Sequence, residues 1–124
     1  MSCKLIHKAK QALATGRLAL DTGDTDGSVN RSYYAVFYAA WAVFEATGQA
    51  RPKTHSGLIS ELSQRFVKAG PFDAAIGAIL SRLENLRLNA DYTMRSISPE
   101  KAKQALDEAL VFVGAVKSYL DSRC

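Results

Sequence analysis

Apolar residues recur along almost the whole chain in steps of three and four, and no segment settles into the two-residue alternation of a strand. Pro52, Pro71 and Pro99, with Gly23 and Gly27, interrupt this rhythm and divide it into five predicted helices. The first covers residues 3–21, with Leu5, Ala9, Ala12, Leu13, Gly16 and Leu20 in one stripe and Lys4, Lys8, Lys10 and Arg17 on the wet side. Residues 21–27 then read as a loop of glycines and short polar side chains, with Ser28 or Asp26 as the cap of the next helix. The second helix covers residues 29–47. Val29, Tyr33, Val36, Phe37, Ala40, Val43 and Phe44 form its main face, and Ala35, Ala39, Ala42 and Ala46 line a flank. A helix apolar nearly all round belongs at the centre of a bundle or in an interface, and an alanine flank lets a neighbour come close. Gly48 follows as a left-handed closing residue.

After a linker at 49–54, Thr54 or Ser56 starts a third helix that turns Leu58, Ile59, Leu62, Phe66 and Val67 inward and stops at Gly70-Pro71. A fourth covers residues 72–95, with Ile76, Ile79, Leu80, Leu83, Leu86 and Ala90 inward. Ser98-Pro99-Glu100 is a helix start of capping hydroxyl, first-turn proline and first-turn acid. The fifth helix then carries Ala102, Ala105, Leu106, Ala109, Leu110, Val113, Val116 and Leu120 to the C-terminus. Short connections favour antiparallel neighbours, so the pattern predicts an all-α protein, an antiparallel up-and-down bundle of about five helices, in a single domain over residues 1–124. No period near 34 residues repeats, which argues against a tetratricopeptide array.

Composition adds limits. A hydrophobic share of 48% supports a packed core and excludes wholesale disorder. The formal charge of +4 suits an acidic partner such as a nucleic acid, and equally a soluble basic protein with none. The longest strongly apolar run, residues 33–44, is too short to span a bilayer, and Arg31 and Glu45 bracket it. The N-terminal residues lack the apolar core of a signal peptide, so a cytoplasmic location is expected, with no membrane association. Cys3 and Cys124 stand near the two ends without zinc-ligand spacing, and a reducing cytosol argues against a disulfide between them. No P-loop, nucleophile elbow or metal-binding pair is visible, and neither a metal nor a cofactor is expected.

Three polar constellations can carry chemistry. Arg87 and Asp91 are four residues apart on the fourth helix, with Glu84 three before Arg87 on the same side, beside the stripe of Leu83, Leu86 and Ala90. Spacing alone favours an intrahelical ion pair; the functional alternative is an arginine held by an acid and aimed at a phosphate. In the second, Asn30, Arg31 and Tyr34, followed by Tyr38 and Trp41, share one side of the second helix. Such aromatics usually pack a core, and a cation beside them can also stack and pair a nucleotide. In the third, His55 lies at a helix start, where backbone N–H groups favour anions, within what otherwise reads as a polar capping loop.

Taken in order, residues 30–40 (NRSYYAVFYAA), residues 53–58 (KTHSGL) and residues 87–92 (RLNADY) resemble the HEPN family, in its short stand-alone branch. The resemblance covers almost the whole chain. It implies an antiparallel helical bundle that often dimerises, with the late-helix motif near the dimer cleft. It further implies either a metal-independent RNA nuclease of toxin–antitoxin and defence systems, or a partner of a small nucleotidyltransferase. The nuclease signature is an arginine followed four to six residues later by a histidine. Counted from Arg87 those positions hold Tyr92, Thr93 and Met94, so the histidine is missing. Arg87 can steady phosphorane charge, Asp91 or Tyr92 can attempt the proton transfer, and His55 can substitute if the fold brings it near Arg87. Tyr92 also stands where relatives carry a tyrosine that the nucleotidyltransferase modifies. The expected site is therefore Arg87 and Asp91 for chemistry, with Asn30, Arg31, Tyr34, His55 and Tyr92 for binding. The leading expectation is a homodimeric binder of nucleotide or single-stranded RNA phosphate acting with a nucleotidyltransferase, ahead of an RNA endonuclease and of a ligand-free dimeric scaffold.

Overall fold

The computed structural model of the protein describes residues 2–68 and 70–120. Five α-helices follow one another: α1 (Ser2–Asp21), α2 (Thr25–Ala46), α3 (His55–Leu62), α4 (Ala74–Thr93) and α5 (Pro99–Leu120), with a π-helical stretch, Ser63–Lys68, continuing α3. No strand occurs among the described residues.

The apolar α2 is the centre of the bundle, packed by α1, α5, α4 and α3. Its valines and its alanines at 35, 39, 40 and 42 are fully covered, as a helix apolar on nearly every side requires. Close approach of α1 uses Gly16, where an added Cβ would lie 3.4 Å from both the Arg31 Cβ and the Ser28 carbonyl oxygen of α2. The Ile97 N–H donates to the Asp26 carboxylate across 2.9 Å, so α2 and α5 begin at the same end of the bundle. With short turns on either side, α1 and α4 run one way and α2 and α5 the other, an up-and-down bundle.

Local chemistry moves several element ends from their sequence-predicted places. Asp24, rather than Ser28 or Asp26, caps α2 by accepting the Gly27 N–H, so the helix starts four residues early, at Thr25. This frees Asp26 for the Ile97 tether and leaves Ser28 buried. Asp73 caps α4 through the Ile76 N–H, which excludes Phe72 from the helix and packs its ring edge-on to Tyr119. α4 ends two residues short of position 95, at Thr93, because Met94 adopts a left-handed φ of 58°. Thr54 caps α3, Ser98 accepts the Lys101 N–H at the start of α5, and Gly48 has the expected positive φ.

Leu110, expected on the inner face of α5, is 43% exposed. The inward line runs through Ala105, Ala109, Phe112, Val113 and Val116, and Leu110 stands about 100° off it. Cys3 is not a free thiol, contrary to the expectation of reduced chain ends. Cys124 falls outside the described residues, as does the end of the chain that α5 was expected to reach. Among the described residues no helix is long and apolar enough to cross a membrane.

Candidate functional site around Glu84

Among the described residues, one acid is buried in the core of the bundle. Glu84 replaces an apolar residue on the inward line of α4, one position after Leu83, and is 7% exposed. Burying a carboxylate is costly unless its oxygens are paired, and here three elements supply partners. From α2, fully buried Tyr33 donates its hydroxyl hydrogen to Glu84 Oε2 across 3.0 Å. From its own helix, Arg87 donates Nη2–H to Oε1 at 2.5 Å. From α3, the His55 ring nitrogen Nδ1 lies 3.2 Å from Oε2 and 2.8 Å from the Tyr33 hydroxyl. The Thr54 cap places His55 at the first position of α3, over this carboxylate.

These contacts fix protons. Tyr33 has one hydroxyl hydrogen and spends it on Glu84. His55 Nδ1 then faces two oxygen acceptors, the carboxylate and the phenol lone pair, so it is Nδ1 that carries a hydrogen here. Burial by itself would raise the Glu84 carboxyl, but the hydrogen bonds from Tyr33, Arg87 and His55 outweigh it and hold the group below the usual carboxylate range. Burial, then the bond to Glu84, pushes the Tyr33 phenol well up, so it stays a donor. Burial opposes the charge on Arg87, and its bond to Glu84 more than restores it.

The Arg87 guanidinium sits 4.8 Å from the centre of the Tyr33 ring, its side chain 19% exposed and its Nε without a hydrogen-bond partner among the described residues. Asp91 reaches Arg87 only at 3.9 Å and is 70% exposed. The strong partner of the arginine is therefore Glu84, and Asp91 stands at the rim. Asn30 and Arg31 form a second group: the Asn30 amide oxygen accepts from Arg31 Nε at 3.3 Å and Nη2 at 3.2 Å. Arg31 lies over the Tyr34 ring at 5.2 Å, and Tyr34 stands edge-on to both Tyr33 and His55 at 5.1 and 6.3 Å. Tyr34 thus links the two groups. Tyr92 is 84% exposed, and among the described residues no hydrogen bond or ring contact ties it to either.

So His55, Arg87 and, through Tyr34, Asn30 and Arg31 come together, Asp91 borders them and Tyr92 does not join. Sequence reasoning placed Tyr33 among core aromatics and saw Glu84 only as part of a polar line. The available signal was an acid at the i+4 position from Leu80 in an otherwise apolar stripe. Among the described residues no three His, Cys, Asp or Glu side chains gather where they could hold a metal ion.

Comparison with known proteins agrees with the motifs. The HEPN domain profile matches residues 3–119. A protein of Methanocaldococcus jannaschii named "Putative toxin MJ0605" is 33% identical over 116 residues, covering 94% of this chain and 86% of that one. "Putative toxin MJ0142" of the same organism is 31% identical, covering 97% and 82%. The UPF0332 protein glr0978 of Gloeobacter violaceus is 40% identical over 88 residues, 71% of this chain and 69% of that one. The chain belongs to the HEPN family.

Proposed function

We propose that this HEPN protein is toxin-like and acts on single-stranded RNA in the cytoplasm, binding a backbone phosphate at Arg87 and cleaving the adjacent bond with His55 as general base. One observation carries the reading: His55 and Arg87 share a single buried carboxylate, His55 and Tyr33 on Oε2 and Arg87 on Oε1. The family histidine missing after Arg87 is supplied in space by a histidine from another helix. In this scheme His55 Nε2 takes the 2′-hydroxyl proton and the 2′ oxygen attacks phosphorus. The bond to the 5′ oxygen breaks, that oxygen leaves with a proton from solvent, and Arg87 offsets the charge on the equatorial oxygens. Asp91 is less suited as the base, since it lies at the exposed rim.

Purified protein incubated with a labelled single-stranded RNA tests this. Cleavage is expected to fall about 10²-fold or more in Arg87→Ala and in His55→Ala, and less in Asp91→Asn. Equal cleavage in wild type and both alanine variants would sink the reading.

Exposure of Tyr92 favours a second reading, a phosphate-binding HEPN protein that works with a nucleotidyltransferase which modifies this phenol. Co-expression with such an enzyme should then add nucleotide mass to the chain, and Tyr92→Phe should abolish the addition. Under either reading the proposed unit is a homodimer, with Leu88, Tyr92 and Met94 supplying exposed apolar surface at the end of α4.

A further inference from the structure

Between α1 and α2 lies an open cleft of about 440 Å³, lined by Lys8, Gln11, Thr15, Arg31 and Tyr38 together with two alanines. Among the described residues that line it, none is acidic. The Lys8 ammonium lies 5.1 Å from the centre of the Tyr38 ring, and Arg31 sits 5.2 Å over Tyr34. Tyr34 and Tyr38 are themselves 6.1 Å apart on successive turns of α2. The cleft therefore holds two cations with no carboxylate among its described lining residues, one aromatic ring, Tyr38, with Tyr34 one turn before it on α2, and an amide and a hydroxyl able to meet a base edge or a ribose. This is the combination by which proteins hold an unpaired nucleotide: cations for the phosphate, rings for the base, short polar groups for the remainder.

Resting on the proposed action on RNA, we infer that this cleft is a second nucleotide subsite, which seats the nucleotide next to the one at Arg87 and makes single-stranded RNA, rather than a free mononucleotide, the ligand of the site. Continuity through Tyr34 is the reason. Its ring neighbours both His55 and Arg31, so one strand passing the tyrosine meets Arg87 and His55, then Arg31 and Lys8. A duplex presents no free base to Tyr38. Lys8 is exposed and Arg31 half-exposed, so a phosphate can reach both without displacing the core.

The test uses the full chain and a fluorescent 2′-O-methyl oligoribonucleotide, which binds without being cleaved, followed by anisotropy over a salt titration. Lys8→Gln should weaken binding about tenfold and reduce the slope of log K against log salt by about 0.7, the loss of one phosphate contact on a single strand. Arg31→Gln should behave alike. Lys103→Gln, on the exposed side of α5, should leave both quantities unchanged. Cleavage of the matching 2′-hydroxyl RNA by wild type is measured beside it. Lys8-dependent binding without cleavage keeps the cleft and overturns the catalytic reading. Cleavage with Lys8→Gln binding like wild type overturns the cleft and keeps the catalytic reading. Equal weakening by Lys103→Gln, or no binding by wild type, also overturns the cleft.

Discussion

Glu84 concentrates the problem this protein solves at the level of single residues. A carboxylate in the core is a liability that its neighbours convert into an organiser, since its two oxygens set the geometry of Arg87 and His55 together. Removing one partner should therefore cost more than an ordinary surface pair. Glu84→Gln leaves the Arg87 cation facing a neutral amide, and the expected loss is about 2 kcal/mol of unfolding free energy, read by urea denaturation. The pH behaviour follows from the depressed Glu84 carboxyl. The unfolded chain takes up a proton near 4.5, the folded chain only at lower pH, so this contribution is full above about 4.5 and drains as pH falls through the folded value. Tyr33→Phe deletes a bond that stabilises the charged form. It should shift the acid limb of a Tm-against-pH curve toward higher pH, and an unchanged limb would show that Glu84 does not depend on Tyr33. Little of this was legible beforehand. An i,i+3 acid and arginine on a helix read as solvent-exposed, and only the packing of α2 and α3 over α4 reveals that one of them is buried.

Elements decide whether the site assembles at all. α3 contributes one chemical group, His55, and it does so because the Thr54 hydroxyl stops the helix there by accepting the Gly57 N–H. Thr54→Ala should cost about 1 kcal/mol and allow the first turn to fray. Its distinguishing consequence is a loss of RNA cleavage larger than the loss of folded protein, with recovery in Thr54→Ser, which keeps the oxygen. Equal activity of the alanine and serine variants, per folded molecule, would mean that the cap does not position the histidine. The helices themselves were the legible part: periodic apolar residues and the Ser98-Pro99-Glu100 start located α1, α2, α4 and α5 to within a few residues. The π-helical Ser63–Lys68 was not, because Phe66 and Val67 fit an α-helical face as well as a π turn, and the difference lies in backbone bonding that composition does not encode. The shift of α2 to Thr25 has a similar origin. Asp24, Asp26 and Ser28 are all competent caps, and the choice among them was made by the demand of Ile97 for an acceptor across the bundle.

For the molecule as a whole, the four residues Tyr33, His55, Glu84 and Arg87 come from α2, α3 and α4 of one chain. The chemistry and the proposed association of two chains are therefore separable. The exposed apolar residues Leu88 and Tyr92 are one turn apart on α4, and Met94 follows them, 89% exposed in a left-handed conformation. Aspartate accepts that backbone conformation more readily than methionine, so Met94→Asp adds a charge to this surface without straining the fold. Wild type should scatter light as twice the 13.5 kDa chain, and Met94→Asp as one chain, with an unchanged melting curve at low concentration. The single chain should still cleave a short RNA, because no residue of the Glu84 cluster is contributed by a second copy. A monomeric variant that folds and binds RNA but has lost cleavage would instead place part of the reacting machinery across the interface, and would make Asp91 and Tyr92, at the rim beside that surface, the residues through which one chain acts on the other.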